Sequence, residues 1–211
     1  MKRDIQLDAL EARVLGVLVE KTLTTPDQYP LTLNSTTTGS NQKSNRLPVL
    51  SLDEDAVSRA LARLENKGLV RRVYPGNSRV EKYTQLAKEA FGLPITGVAV
   101  LAELLLRGPQ TMGELRAHAA RMVELPSLDD LMSVLQPLLD DEYIERLAPA
   151  PGSRAERFLQ RLSPGLHPIE IGAPSSYASE SVAAAPGLAA RVEALEEEVA
   201  RLRTLVERLM S

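Results

Sequence analysis

Two stretches of this chain share one order of parts. "SLDEDAVSRALARLENKGLVRRVYPGNSRVEKYTQ" runs from Ser51 to Gln85, and "SLDDLMSVLQPLLDDEYIERLAPAPGSRAERFLQ" from Ser127 to Gln160. Each opens on a capping-box pattern, Ser51 with Glu54 and Ser127 with Asp130, where hydroxyl and acid each accept a bond from a free helix N–H. Each continues as a helix with an apolar stripe: Val57, Ala60, Leu61 and Leu64, then Leu131, Val134, Leu135 and Leu138. Each closes in a hairpin whose turn carries Pro and Gly, "PGNS" or "APAPGS".

Two more helical patterns precede each copy. Asp8 with Glu11 opens a helix that carries Leu7, Leu10, Val14, Val17 and Leu18. In the second copy "TGVAVLAELLLRG" begins at a capping Thr96 and stops at Gly108, and Thr111 with Glu114 opens the next helix. Helix, helix, helix and hairpin, twice over, is the winged helix-turn-helix plan. The expected fold is mostly α with small β wings: winged-helix domains at 1–90 and 91–163, a linker at 164–186 and a coiled-coil helix at 187–211.

Between the first helix and the first repeat lies "YPLTLNSTTTGSNQKSNRLP", residues 29–48. It fills the slot of the second helix and of the turn that follows. Thr32 is a capping residue, but β-branched Thr forms helices poorly, so this helix depends on packing. The turn from Ser40 to Pro48 is long, and a long turn is costly to order. Two readings stand side by side: an ordered surface offering Lys43 and Arg46 to a ligand, or a tie between helices.

The stretches "LEARVLGVLVEKTLTTPDQYPLTLNS", "NQKSNR", "LLLRGPQTMGELR" and "ARVEALEEEVARLR" resemble the YceH-like family of bacterial proteins. The likeness covers nearly the whole chain. It implies a tandem winged-helix fold, and it carries no reaction, ligand or target. By resemblance, Pro26, Gln28, Tyr29, Pro30, Asn34, Asn41, Gln42, Lys43, Asn45 and Arg46 sit in the family's motif. "STTTGS" at 35–40 departs from the bulkier residues usual there, which weakens the second helix.

The chain has 211 residues and no Cys or Trp, so disulfides and thiolate chemistry are excluded and a Leu/Val/Ala core is expected. The longest apolar run, "GVAVLAELLL", is too short to span a bilayer and holds Glu103. A cytoplasmic protein away from the membrane is expected. No phosphate-binding loop, dinucleotide fingerprint or cysteine nucleophile is present, and His118 and His167 lie in different regions. The expectation is therefore a non-enzyme without metal or cofactor.

Charge is uneven. Residues 1–90 hold 14 basic and 11 acidic side chains, residues 91–162 hold 7 and 10, and residues 163–211 hold 4 and 7. A nucleic-acid surface therefore belongs in the first third, on Lys43, Arg46, Arg59, Arg63, Arg71, Arg72, Arg79 and Lys82. Asp53, Glu54 and Asp55 oppose it, since they open the third helix where a winged helix enters the major groove. The second half is acidic, and Pro137 inside its third helix predicts a kink.

In the tail, Leu188, Val192, Leu195, Val199, Leu202, Val206 and Leu209 alternate spacings of four and three. Val at a with Leu at d favours a parallel two-stranded coil. The expected function is a dimeric, nucleic-acid-binding, regulatory protein using the basic face of its first domain on double-stranded DNA. The alternative is a protein-interaction scaffold that does not touch DNA.

Overall fold

The computed structural model describes residues 5–76, 80–149 and 153–167. They belong to one of the chain's two compact units, Met1–Ala173; the other is Pro174–Ser211. Arg79, the seven coil residues from Leu188 to Leu209, and the expected linker beyond His167 lie outside the described residues.

Helices dominate, with two small antiparallel sheets. In chain order the elements are α1 (Ala9–Thr24), α2 (Leu33–Ser40), α3 (Glu54–Asn66), β1 (Val70–Val73), β2 (Lys82–Gln85) and α4 (Ala87–Phe91). There follow α5 (Ile95–Arg107), β3 (Gln110–Thr111), α6 (Met112–Ala119), α7 (Leu128–Asp140), β4 (Ile144–Leu147) and β5 (Arg157–Gln160). The order α1–α2–α3–β1–β2 thus returns as α5–α6–α7–β4–β5.

The likeness of the halves runs further than the sequence pattern. Just before α2, Leu31 bridges Tyr83 of β2 through bonds in both directions. Just before α6, Gln110 and Thr111 pair with Phe158 and Arg157 of β5. In both halves this short edge segment delivers a threonine to a helix N-cap. Thr32 accepts from the Ser35 N–H, and Thr111 from the Glu114 N–H.

α1 and α5 are the first helices of the two halves, and they pack against each other. Each is buried without a break over ten residues, Glu11 to Glu20 and Gly97 to Leu106. A helix apolar nearly all round buries all round. Gly16 permits the close approach: a Cβ there would sit 2.9 Å from Leu106 Cγ. One apolar cluster runs from Leu7 to Leu166 across both halves. The division expected at 90/91 falls in α4, within this continuous core.

Three boxes form as expected, at Asp8/Glu11, Thr111/Glu114 and Ser127/Asp130. Two caps differ. Asp53, not Ser51, caps α3 by accepting from the Ala56 N–H at 2.7 Å. The reason is the preceding residue: the Asn41 side chain holds Leu52 by both backbone groups, at 2.7 and 2.8 Å, so the helix starts only after it. α5 starts at Ile95 behind Pro94, whose fixed φ of −64° suits an N-cap, rather than at Thr96. α7 runs to Asp140 with Pro137 in its last turn. Leu166 and His167, at the start of the linker expected over 164–186, are buried.

Candidate functional site

The polar turn after α2 is built inward. Asn45 takes a left-handed φ of 59°, which Asn tolerates. That geometry sends Arg46 into the protein, where its side chain has no exposure. Its guanidinium donates to both oxygens of Glu20, at 3.1 and 2.5 Å, to Gln42 Oε1 at 2.9 Å, and to the carbonyls of Gly39 and Asn45. Arg46 is therefore not offered to a ligand, and the expectation is corrected for this residue. The physical reason is pairing: Glu20 is equally buried on α1 and needs a cation beside it. Lys43 alone of the two points to solvent.

The same turn is held by the second half. The Leu47 N–H donates to the Leu106 carbonyl at 2.8 Å, and His167 Nε2 donates to the Leu47 carbonyl at 2.7 Å. Arg107 donates to the Asn45 side-chain oxygen. Arg13 of α1 closes the turn from inside, donating to the carbonyls of Ser40 at 3.0 Å and Pro48 at 2.5 Å.

From Glu20 an ionic network crosses to the second half. Arg121 bridges two carboxylates, pairing with Glu20 and, at 2.6 Å, with Glu103. Arg107 Nε lies 2.9 Å from the other Glu103 oxygen, and Lys21 stands 3.6 Å from Glu20. Burial alone would raise the Glu20 carboxyl, but bonds and charge from Arg46 and Arg121 pull it down to about 2. Burial, and then the neighbouring Arg46, lowers Arg13 to about 10. Gln110 donates through its amide N to the Gly108 carbonyl, so its oxygen accepts from His118 Nδ1 at 2.6 Å. His118 Nε2 is then an acceptor facing Arg107 at 3.4 Å, and burial with the Arg107 charge lowers this histidine.

Sequence reasoning did not single out Glu20, Glu103, Arg107 or Arg121 as a constellation. A signal existed. "VLVEK" and "VLAEL" each place one carboxylate in an apolar helix, at matching points of the two halves.

The remaining basic candidates divide. Arg63 pairs with Asp8 at 2.9 Å and Glu11 at 3.1 Å, beside an open cleft of about 530 Å³ lined also by Gln6, Asn66 and Lys67. Arg72 pairs with Glu65 and Glu81 and covers the Tyr83 ring. The strand register puts Arg72 on the face of the hairpin with buried Val70 and Tyr83, and puts Arg71, Val73, Thr84 and Lys82 on the other. Among the described residues, no carboxylate pairs with Lys43, Arg59, Arg71 or Lys82. The exposed face of α3 carries Asp53, Glu54, Asp55, Arg59, Ala62 and Asn66, so Arg59 is its one cation.

A family model described as "Protein of unknown function, DUF480" matches residues 7–153. A "UPF0502 protein" of Hahella chejuensis is 44% identical over 99% of this chain and 98% of its own length. This chain belongs to the UPF0502 (DUF480) family. "UPF0502 protein YceH" of Escherichia fergusonii is 42% identical over 98% of this chain and 97% of its own. "UPF0502 protein mll4256" of Mesorhizobium japonicum is 42% identical over 96% of each. The resemblance to YceH-like proteins thus holds across the chain. None of these UPF0502 names specifies a reaction, ligand or partner. Among the described residues, no helix is long and apolar enough to cross a membrane.

Proposed function

We propose that the chain is a non-enzymatic, cytoplasmic nucleic-acid-binding protein made of two winged-helix units, and that the β1–β2 hairpin leads the contact. The observation supporting this most is the hairpin's outer face, where Arg71 and Lys82 stand without a carboxylate partner among the described residues. Arg59 and Lys43 add to the same charge. Such cations neutralise phosphates and release counterions. The acidic start of α3 repels phosphate, so the third helix contributes little base reading, and the hairpin contacts backbone. Dimerisation through Leu188, Val192, Leu195, Val199, Leu202, Val206 and Leu209 would present two such faces at once.

The test is duplex affinity of the full chain against salt. Arg71→Ala with Lys82→Ala should weaken binding to all sequences alike and reduce the salt slope by about 2. No duplex binding by the wild type at low salt would remove the reading. Light scattering tests the dimer, and a monomer at tens of micromolar would sink it. A second reading, a protein-interaction scaffold, draws support from Arg63 and Arg72, which are spent on internal carboxylates.

A further inference from the structure

The network between the halves holds more positive charge than it neutralises. Its carboxylates are Glu20 and Glu103, and its cations are Lys21, Arg46, Arg107 and Arg121. Two negative charges face four positive ones. Arg13 adds a fifth behind them, fully buried and bonded only to carbonyls. Uncompensated charge away from water is costly, and the nearest remedy is a counter-charge.

Depth sorts the members. Glu20, Glu103 and Arg46 have side-chain exposures of 1%, 0% and 0%, whereas Lys21, Arg107 and Arg121 reach 19%, 25% and 27%. The carboxylates are the floor and three cations are the rim. Arg121 joins the rim groups, because it shares one carboxylate with each of the other two. Arg107 and Arg121 both lie within 3 Å of Glu103, and Lys21 and Arg121 both flank Glu20. Buried Nε of Arg121 has no hydrogen-bond partner. Neutral His118 and the Asn45 oxygen hold Arg107 in place by accepting from it.

We propose that this rim, formed by Lys21, Arg107 and Arg121, binds a phosphate- or sulfate-type oxyanion. Two guanidinium forks and one ammonium offer several donors to a tetrahedral group whose oxygens only accept. Burial and then Arg46 lower Arg13, burial lowers Arg107 against the pull of Glu103, and Glu103 and Glu20 raise Arg121 despite its burial. The site draws on α1, α5 and the segment after α6, and it shares no residue with the hairpin face proposed for nucleic acid. A free anion and the phosphate of a nucleotide chain offer the same chemistry.

The experiment is titration calorimetry of the full-length protein with inorganic phosphate, against chloride at equal ionic strength and pH 7. Saturable binding is expected, weakened roughly tenfold or more by Lys21→Gln, since a charged donor is lost. Arg107→Gln should weaken it similarly, while Arg71→Ala with Lys82→Ala leaves it unchanged. Lys21→Gln keeps the test alive if Arg107→Gln fails to fold, because Glu20 retains Arg46 and Arg121. A duplex oligonucleotide that displaces phosphate, and that Lys21→Gln also weakens, makes nucleic acid the source. A duplex that does not compete makes it a free ion. Phosphate heats equal to those of chloride, or equal affinity in the wild type and Lys21→Gln, would overturn the site.

Discussion

The two halves share one chain path and spend their charges differently. In the first, the outer face of the hairpin carries Arg71 and Lys82 without a carboxylate partner among the described residues. In the second, Arg146 pairs with Glu156, and Arg161 with Glu145 and Glu142, while α7 exposes Asp129, Asp130 and Asp140. The inside shows a parallel contrast. Glu20 of α1 and Glu103 of α5 are both buried, but Glu20 meets a fully buried arginine from its own half, and Glu103 meets half-open ones. A duplicated backbone therefore does not imply duplicated work. The first half has the more deeply buried ion pair, and the second supplies Arg121 to both glutamates.

The largest expected effect sharpens the interior contrast. Glu20→Ala leaves Arg46 buried and unpaired and should cost about 3–5 kcal/mol in urea unfolding. Glu103→Ala should cost less, since water reaches Arg107 and Arg121; equal losses would erase the difference between the halves. A second experiment tests how His167 pins the first half's turn. Burial is the main cause that lowers His167, to about 4, so the folded state favours its neutral form. That contribution is complete above about 6.5 and is lost as pH falls from 6.5 to 4, by about 3 kcal/mol. His167→Gln should flatten stability over this range. The Glu20 contribution, complete above about 4.5, should still be lost as pH falls from 4.5 toward 2.

A third comparison concerns the surfaces. Arg146→Ala with Arg161→Ala should leave the salt slope of duplex binding unchanged, where Arg71→Ala with Lys82→Ala reduces it by about 2. The smallest effect tests what the halves share. Asp53→Ala and Ser127→Ala each remove an N-cap and should each cost about 1 kcal/mol in thermal unfolding.

The legible parts of this fold were local. The boxes at Asp8, Thr111 and Ser127 are bonds between residues three apart, so spacing alone reveals them. The hairpins announced themselves through turn residues. The cap of α3 was misplaced because a residue eleven positions away, Asn41, fixes Leu52, and spacing carries no record of that. Arg46 and Lys43 look alike in sequence. What separates them is Glu20, which lies 26 residues from Arg46 and an α-helix away. Ion pairs between distant segments decide which cations face water, and a count of charges along the chain is blind to them.

One consequence of the shared arginine concerns chimaeras. A hybrid between relatives could be cut between the two halves, near residues 90 and 91. Glu20 comes from one side of that seam, and Arg121, which serves both Glu20 and Glu103, from the other. Gly16 and Leu106, likewise, are matched in shape across it. A hybrid joined at the seam would combine a lock from one parent with a key from another. The heritable piece is the pair of helices α1 and α5 with the arginine between them, and grafts that move all three together should fold where simpler exchanges do not.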